Sequence, residues 1–200
     1  MLLRLIALLA CVTSLSASPP SPLLEEDFRN PLSAEWYWGL GTWTAGDGVL
    51  RGFESGPRRH GPVKVRRLEL ADAVVECEFR LIGKASFAGL IFNGNPERGH
   101  LFHLVMSRER LRLLVHPRKG ESLDLASVPG PLAAETWHRV RLEFRGMELR
   151  ATVDDRELTA SHACLAEPKL TFGLGGESGG PEGEAAGALE FRRLRITPLP

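Results

Sequence analysis

The feature that most constrains this chain is a period-two alternation of apolar and polar residues, which recurs in short segments along nearly its whole length. Side chains alternate between the two faces of a β-strand, so each segment predicts a half-buried strand. Gly, Pro or Asp separates most of the segments, and no window sustains a helical period. The predicted strand segments are 23–28, 41–52 (a hairpin), 63–70, 73–83, 86–94, 100–107, 110–117, 122–128, 137–146, 148–155, 169–176 and 188–197.

Many short strands without intervening helices exclude a parallel α/β fold. They predict an all-β protein in which two antiparallel sheets pack as a sandwich or jelly roll. With 43% hydrophobic residues, the chain can form a core of ordinary size. We therefore predict a single sandwich domain over residues 24–197.

The segment "GTWTAGDGVLRG" (41–52) predicts a hairpin, because Asp47-Gly48 tolerates the positive φ angles of a tight turn. Its glycines could also suggest a phosphate-binding loop. Such a loop requires a helix directly after the glycines, and the segment 53–62 is a poor helix former. We therefore exclude nucleotide binding here.

The N-terminal segment has the pattern of a secretory signal peptide. An early Arg4 precedes a short apolar run, and small residues lead into a Pro-rich exit. We predict a signal peptide over 1–17, a linker over 18–23 and a secreted or periplasmic protein without a membrane-spanning segment after cleavage. The stretch "LLAC" (8–11) leaves open a lipoprotein anchored through Cys11.

Two cysteines, Cys77 and Cys164, remain in the predicted mature chain. Buried free thiols are the favoured interpretation, and a disulfide between them is the alternative. The 25 basic and 25 acidic residues balance, so nothing favours nucleic acid as a partner. The oligomeric state is left undetermined.

Charged side chains concentrate on one face of the predicted strands. Glu76 and Glu78 lie two residues apart on one strand, opposite the apolar side chains of 75–81. Two carboxylates at such a separation can divide the acid and base roles of glycoside chemistry. Alternatively, they form ion pairs on a solvated face with Arg80 and Arg141, which are also candidate substrate-binding residues.

Histidines supply the other candidate general bases. His60 lies in a Gly- and Pro-rich loop, and binding residues often lie on such loops. In a regular strand, His100 and His103 face opposite ways, so they could not share a metal unless His100 precedes the strand. His103 is the better site candidate, and Asn93 at a strand end could hydrogen-bond a sugar.

Aromatic residues cluster in "EWYWG" (35–39). Alternation predicts Trp36 and Trp38 in the core and Tyr37 at the surface. The alternative is that these rings stack on sugars. A Trp-His pair also opens the segment 137–146, where we predict that Trp137 anchors the core and His138 is structural.

These motifs together resemble the 3-keto-disaccharide hydrolase domain family over about residues 24–197. The resemblance rests on the hairpin 41–52, His60 and the later strand segments. These segments are "VVECEFRL", "GLIFNG", "EPKLTFGLGG" and "LEFRRLRI". The segment "TWHRVRLEFRGMELRATVDD" (136–155) is also similar to a core hairpin of concanavalin A/laminin G-like sandwiches.

The resemblance implies a jelly roll that cleaves glycosides oxidised at the sugar C3 position. Such cleavage requires a base, a group that stabilises the enediolate and an acid. His60, Glu76, Glu78 and His103 are the candidates for these roles. Typical members carry an Asn-Ser-Gly strand and a Gly-x-Glu-x-Gln strand, and this chain has "FAGLIFNG" and "RGHLFHLVMS" instead.

Three functional hypotheses therefore stand: a 3-keto-glycoside hydrolase, a carbohydrate-binding module that uses "EWYWG" and Asn93, and a laminin G-like interaction module. The sequence identifies no certain cofactor and leaves open a divalent cation.

Overall fold

A computed structural model describes residues 20–58, 60–180 and 183–200 of the chain. It confirms the predicted fold class, because the described residues form two antiparallel sheets packed as a sandwich. The predicted signal peptide, Cys11 and the start of the predicted linker lie outside the described residues.

The eight-stranded sheet contains the strands that begin and end the described chain. Its order is β13-β12-β11-β6-β15-β4-β3, and β1 also pairs with β15. The strands are β1 (Leu24–Glu26), β3 (Thr42–Gly46), β4 (Val49–Phe53), β6 (Ala73–Gly83), β11 (His138–Arg145), β12 (Glu148–Val153), β13 (Arg156–Ser161) and β15 (Gly187–Pro198).

The seven-stranded sheet has the order β10-β9-β8-β7-β14-β5-β2. Its strands are β2 (Trp38–Leu40), β5 (Val63–Leu70), β7 (Phe87–Asn93), β8 (His100–Ser107), β9 (Arg110–Val115), β10 (Leu123–Pro129) and β14 (Lys169–Glu177). Two short 3₁₀ turns, η1 (Ala163–Leu165) and η2 (Gly183–Ala185), complete the described secondary structure.

The predicted hairpin is confirmed as β3 and β4. Asp47 and Gly48 connect the strands with φ angles of 52° and 81°, the left-handed backbone that a two-residue hairpin turn requires. Thr42 pairs with Phe53, so the hairpin is in register to its base.

Rings from both sheets meet at the centre of the core. Phe92 stacks on Phe102 at 4.4 Å between centroids and contacts Phe144 and Phe172 at 5.4 Å each. Phe144 belongs to the eight-stranded sheet and the other three rings to the seven-stranded sheet. The cluster therefore holds the inner faces of the two sheets together, and the other face of each sheet is turned outward.

Two strands were not predicted. β2 has only three residues, and β13 contains a single fully apolar buried side chain, that of Leu158. Both are edge strands, where one-sided pairing and high exposure weaken the alternation signal. Cys77 and Cys164 are buried free thiols, and no disulfide joins them.

Candidate functional site

A broad depression, the sheet trough, lies on the outer face of the seven-stranded sheet. It encloses about 1210 Å³ and is lined by side chains of β2, β5, β7, β8 and β14 and of the loops around them. The lining residues used below are Glu35, Tyr37, Trp38, His60, Val63, Val65, Arg66, Arg67, Glu69, Phe87, Ile91, Asn93, His100, His103 and Thr171.

The floor of the sheet trough is apolar, because aliphatic side chains of β5 and β7 lie beside the glycines of β14. A Cβ atom at Gly175 would lie 3.1 Å from both Val63 Cγ2 and Ile91 Cδ1. At Gly173 it would lie 3.4 Å from Ile91 Cβ and 3.5 Å from Val65 Cγ2. The flanking side chains therefore close over the glycine strand, and a larger residue there would raise the floor.

Two aromatic rings border this floor. Trp38 and Tyr37 are 45% and 48% exposed, respectively, and the Arg67 guanidinium stacks on the Tyr37 ring at 4.6 Å. Trp36 is 3% exposed and donates from Nε1 to Glu26. The expectation that both tryptophans lie in the core is therefore correct for Trp36 and wrong for Trp38, because Trp38 lies on the outer face of an edge strand.

A chain of hydrogen-bonded polar side chains crosses three strands beside the floor. Asn93 Nδ2 donates to Thr171 Oγ1 at 2.8 Å, and Asn93 Oδ1 lies 2.6 Å from His100 Nδ1. Since Asn93 Oδ1 can only accept, His100 Nδ1 carries the proton, and Nε2 of the neutral ring is an acceptor. The chain thus presents oriented donors and acceptors to the trough.

A β-bulge places His100 and His103 on the same face of the sheet. Phe92 pairs with Phe102, but Asn93 pairs with His100, so Leu101 is an extra residue in β8. The two rings meet at 4.6 Å between centroids. The expectation that these histidines face opposite ways is therefore wrong, because it assumed a regular strand.

His116 completes a cluster of three imidazoles at this end of the trough. Its ring lies 4.8 Å from that of His103 and 5.3 Å from that of His100. The Nε2 atoms of His103 and His116 are inaccessible to solvent and have no hydrogen-bond partner among the described residues. Burial lowers the pKa of all three rings, that of His103 to about 3, and repulsion by the neighbouring imidazoles adds to this for His103.

The Arg98 side chain holds the cluster in place by hydrogen bonds to the backbone of two of its histidines. Its guanidinium donates to the carbonyl oxygens of His100 (3.0 Å) and His116 (2.6 Å) and forms a two-pronged ion pair with Glu167. Among the described residues, no group of three or more His, Cys, Asp or Glu side chains has a geometry that could hold a metal ion.

The structure divides the residues predicted from the sequence between the two sheets. His60, Asn93 and His103 line the sheet trough. Glu76, Glu78, Arg80 and Arg141 lie on the outer face of the eight-stranded sheet, in β6 and β11. The sandwich therefore does not bring these two groups together.

The charged groups on the eight-stranded sheet pair with one another. Arg141 Nη1 lies 3.3 Å from Glu76 Oε1, and Arg80 bonds Glu190. Glu78 accepts from Arg192 at 2.5 Å and from Arg193 at 2.9 Å. Although burial alone would raise it, these hydrogen bonds and charges hold the pKa of Glu78 below its usual value.

The prediction for the Trp137-His138 pair is correct for His138 and wrong for Trp137. His138 is 5% exposed, and its Nδ1 lies 2.7 Å from Asp154 Oδ2, consistent with a structural role. Trp137 does not anchor the core. It lies on the outer face of the eight-stranded sheet, with Arg80 and Arg192 stacked on its ring at 4.6 and 4.0 Å.

Two lining residues of the trough, Arg67 and Thr171, and His116 of the adjoining imidazole cluster were not singled out from the sequence. Thr171 reaches the site only because β14 pairs with the distant strand β7. His116 reaches it because it follows β9, the hairpin partner of β8. For Arg67, the alternation of "VKVRRLEL" could have placed it on one face with Val63 and Val65.

Comparison with known proteins supports the jelly-roll fold. Residues 85–177 match the family model described as Laminin G domain. A comparison with curated protein sequences found no match. No helix in the described part of the chain is long and apolar enough to cross a membrane.

Solved structures share the fold at low sequence identity. A galectin-like protein of unknown function from Bacillus subtilis has 13% identity and a TM-score of 0.67, over 90% of this chain and 97% of the other. A carbohydrate-binding module, CBM66, from the same organism has 15% identity and a TM-score of 0.61, over 78% and 91%. A prokaryotic β-1,3-1,4-glucanase from a mouse hindgut metagenome has 10% identity and a TM-score of 0.65, over 88% and 99%.

The buried imidazole of His103 predicts an acid-sensitive fold. Its pKa in the folded state is lowered, so below about pH 6.5 the unfolded chain binds a proton that the folded chain does not bind. Stability therefore decreases as the pH is lowered. Between pH 6.5 and pH 4, we expect the wild type to lose about 3 kcal/mol of unfolding free energy relative to His103→Gln. Urea unfolding at several pH values measures this difference. Equal acid sensitivity of the two proteins would contradict the prediction, and His60→Gln, in an exposed loop, is the matched control.

Proposed function

We propose that the protein is a carbohydrate-active β-sandwich that binds a saccharide in the sheet trough. One observation carries this proposal: an apolar floor with an exposed tryptophan lies directly beside the hydrogen-bonded chain Thr171–Asn93–His100. Sugar rings have apolar C–H faces and hydroxyl-bearing edges. The trough offers a complementary surface to each.

The structural neighbours support this function at the level of the ligand class. They include a carbohydrate-binding module and a glucanase. The laminin G-like match is also compatible with the interaction-module hypothesis. Carbohydrate is favoured over a protein partner because the trough combines oriented polar groups with its apolar floor.

Hydrolysis of 3-keto-glycosides is the second candidate function. It is favoured by the sequence resemblance and by the presence of two predicted bases, His60 and His103, in the same trough. Burial lowers the pKa of His103, so this ring is neutral at pH 7 and can accept a proton only weakly. His60 is exposed at the rim, with Nδ1 2.7 Å from the carbonyl of Gly61.

Removing the exposed tryptophan tests saccharide binding. We expect Trp38→Ala to weaken binding to any glycan recognised on an array about tenfold, since it removes a ring that contributes on the order of 1.4 kcal/mol. Met147→Ala is the matched control, because Met147 is 52% exposed in the β11–β12 hairpin of the other sheet. Equal affinities of the two variants would contradict binding in the sheet trough.

Turnover of 3-keto-trehalose tests the hydrolase candidate. We expect Glu76→Gln to behave as the wild type, because Glu76 lies on the other sheet and its carboxylate is paired with Arg141. Loss of sugar release in His60→Ala but not in Glu76→Gln would support hydrolysis in the trough. Loss in Glu76→Gln would contradict the expected location, and no release above the blank would leave binding alone.

We also propose that the protein is secreted or periplasmic. The N-terminal pattern that supports this lies outside the described residues. We expect the exported protein to begin near Ser18, as N-terminal sequencing would show. A chain that begins at a lipidated Cys11 would support the anchored alternative, and an unprocessed chain starting at Met1 would contradict export.

A further inference from the structure

Strand pairing arranges the lining residues of the trough in two parallel rows that run across the sheet. The first row is mainly apolar and lies in direct register over five strands. Trp38 pairs with Val65, which pairs with Gly173, which pairs with Ile91, which pairs with His103. With strands about 4.8 Å apart, this row is about 19 Å long.

The second row is polar and is displaced along the strands by two residues. Arg67 pairs with Thr171, Thr171 with Asn93, and Asn93 with His100. Two residues of a strand correspond to about 7 Å. The polar row therefore runs beside the apolar row at about the width of one sugar ring.

The central part of both rows carries no formal charge. Two cations, Arg66 and Arg67, and two carboxylates, those of Glu35 and Glu69, line one end of the trough, so this end has no cationic excess. At the other end, burial and repulsion within the cluster of three imidazoles lower the pKa of His100 and His103, so both rings are neutral at pH 7. A ligand with acidic groups would find no cation along the middle of the trough.

On the basis of the saccharide binding proposed above, we propose that the ligand is an uncharged, extended oligosaccharide lying across the strands, with its ring faces on the apolar row and its hydroxyl groups along the polar row. The rows are several sugar rings long, so a single sugar would occupy only part of them. The long axis of the ligand follows the line from Trp38 to His103.

This orientation is distinguishable from one along the strands. Phe87 also lines the trough, but it lies four residues from Ile91 along β7, about 13 Å away and beyond both rows. A ligand parallel to the strands would contact Phe87 and would not contact Trp38. A ligand across the strands contacts Trp38 and does not contact Phe87.

Calorimetric titration with neutral gluco-, manno- and galacto-oligosaccharides, from disaccharide to hexasaccharide, tests the proposal. For the series that binds, we expect affinity to rise at least tenfold from disaccharide to hexasaccharide. We expect Trp38→Ala to weaken hexasaccharide binding about tenfold and Phe87→Ala to weaken it less than twofold. Circular dichroism verifies that both variants are folded, and oligogalacturonates serve as the anionic comparison.

Each alternative outcome overturns a stated part. If a disaccharide binds as tightly as the hexasaccharide, the proposal of an extended ligand is wrong. If oligogalacturonate is preferred, the proposal of an uncharged ligand is wrong. Greater loss in Phe87→Ala than in Trp38→Ala reverses the orientation. In these three cases saccharide binding itself stands. If no saccharide on the array or in the titrations binds, the proposed function and this inference both fail.

Discussion

The contact between the inner faces of the two sheets is the interaction on which the rest of the structure depends. A pleated strand can bury only one of its faces there, and the Phe92 cluster occupies the centre of that contact. Every second side chain must therefore face outward. The two outer faces differ in what they carry. One is covered by mutually paired charges, and the other is hollowed by glycine and has uncharged polar groups along its centre.

The irregularities of the seven-stranded sheet create the site that regular strands would not. The extra residue Leu101 turns His100 to the same face as His103, and Arg98 fixes the strand ends on either side by bonding two carbonyl oxygens. Without the bulge, His100 would point toward the core and the polar row would end at Asn93. Bulges that redirect side chains are common beside functional sites.

Much of the fold could be predicted from alternation, because the rule is local. The bounds of β5, β6 and β8 match the predicted ones, and the residue pair Asp47-Gly48 was enough to predict the hairpin turn. The site was less predictable, because it depends on which distant strands pair. His60 and Glu76 were both candidate catalytic residues in the sequence, yet His60 lines the trough and Glu76 lies on the other sheet, and no local pattern carries that information. A bulge likewise depends on the partner strand's register.

The contrast between the two outer faces bears on which of them can serve chemistry or binding. A carboxylate acting as a general acid near neutral pH needs a raised pKa, but Arg192 and Arg193 hold the pKa of Glu78 low, so it remains ionised and paired. A ligand there would have to compete with the guanidinium groups that already bond this carboxylate. In the sheet trough, Trp38 is exposed, and Asn93 and Thr171 bond only uncharged partners. Desolvating uncharged polar groups costs far less than desolvating charged ones, so uncharged sugars are better suited to the trough than to the charged face.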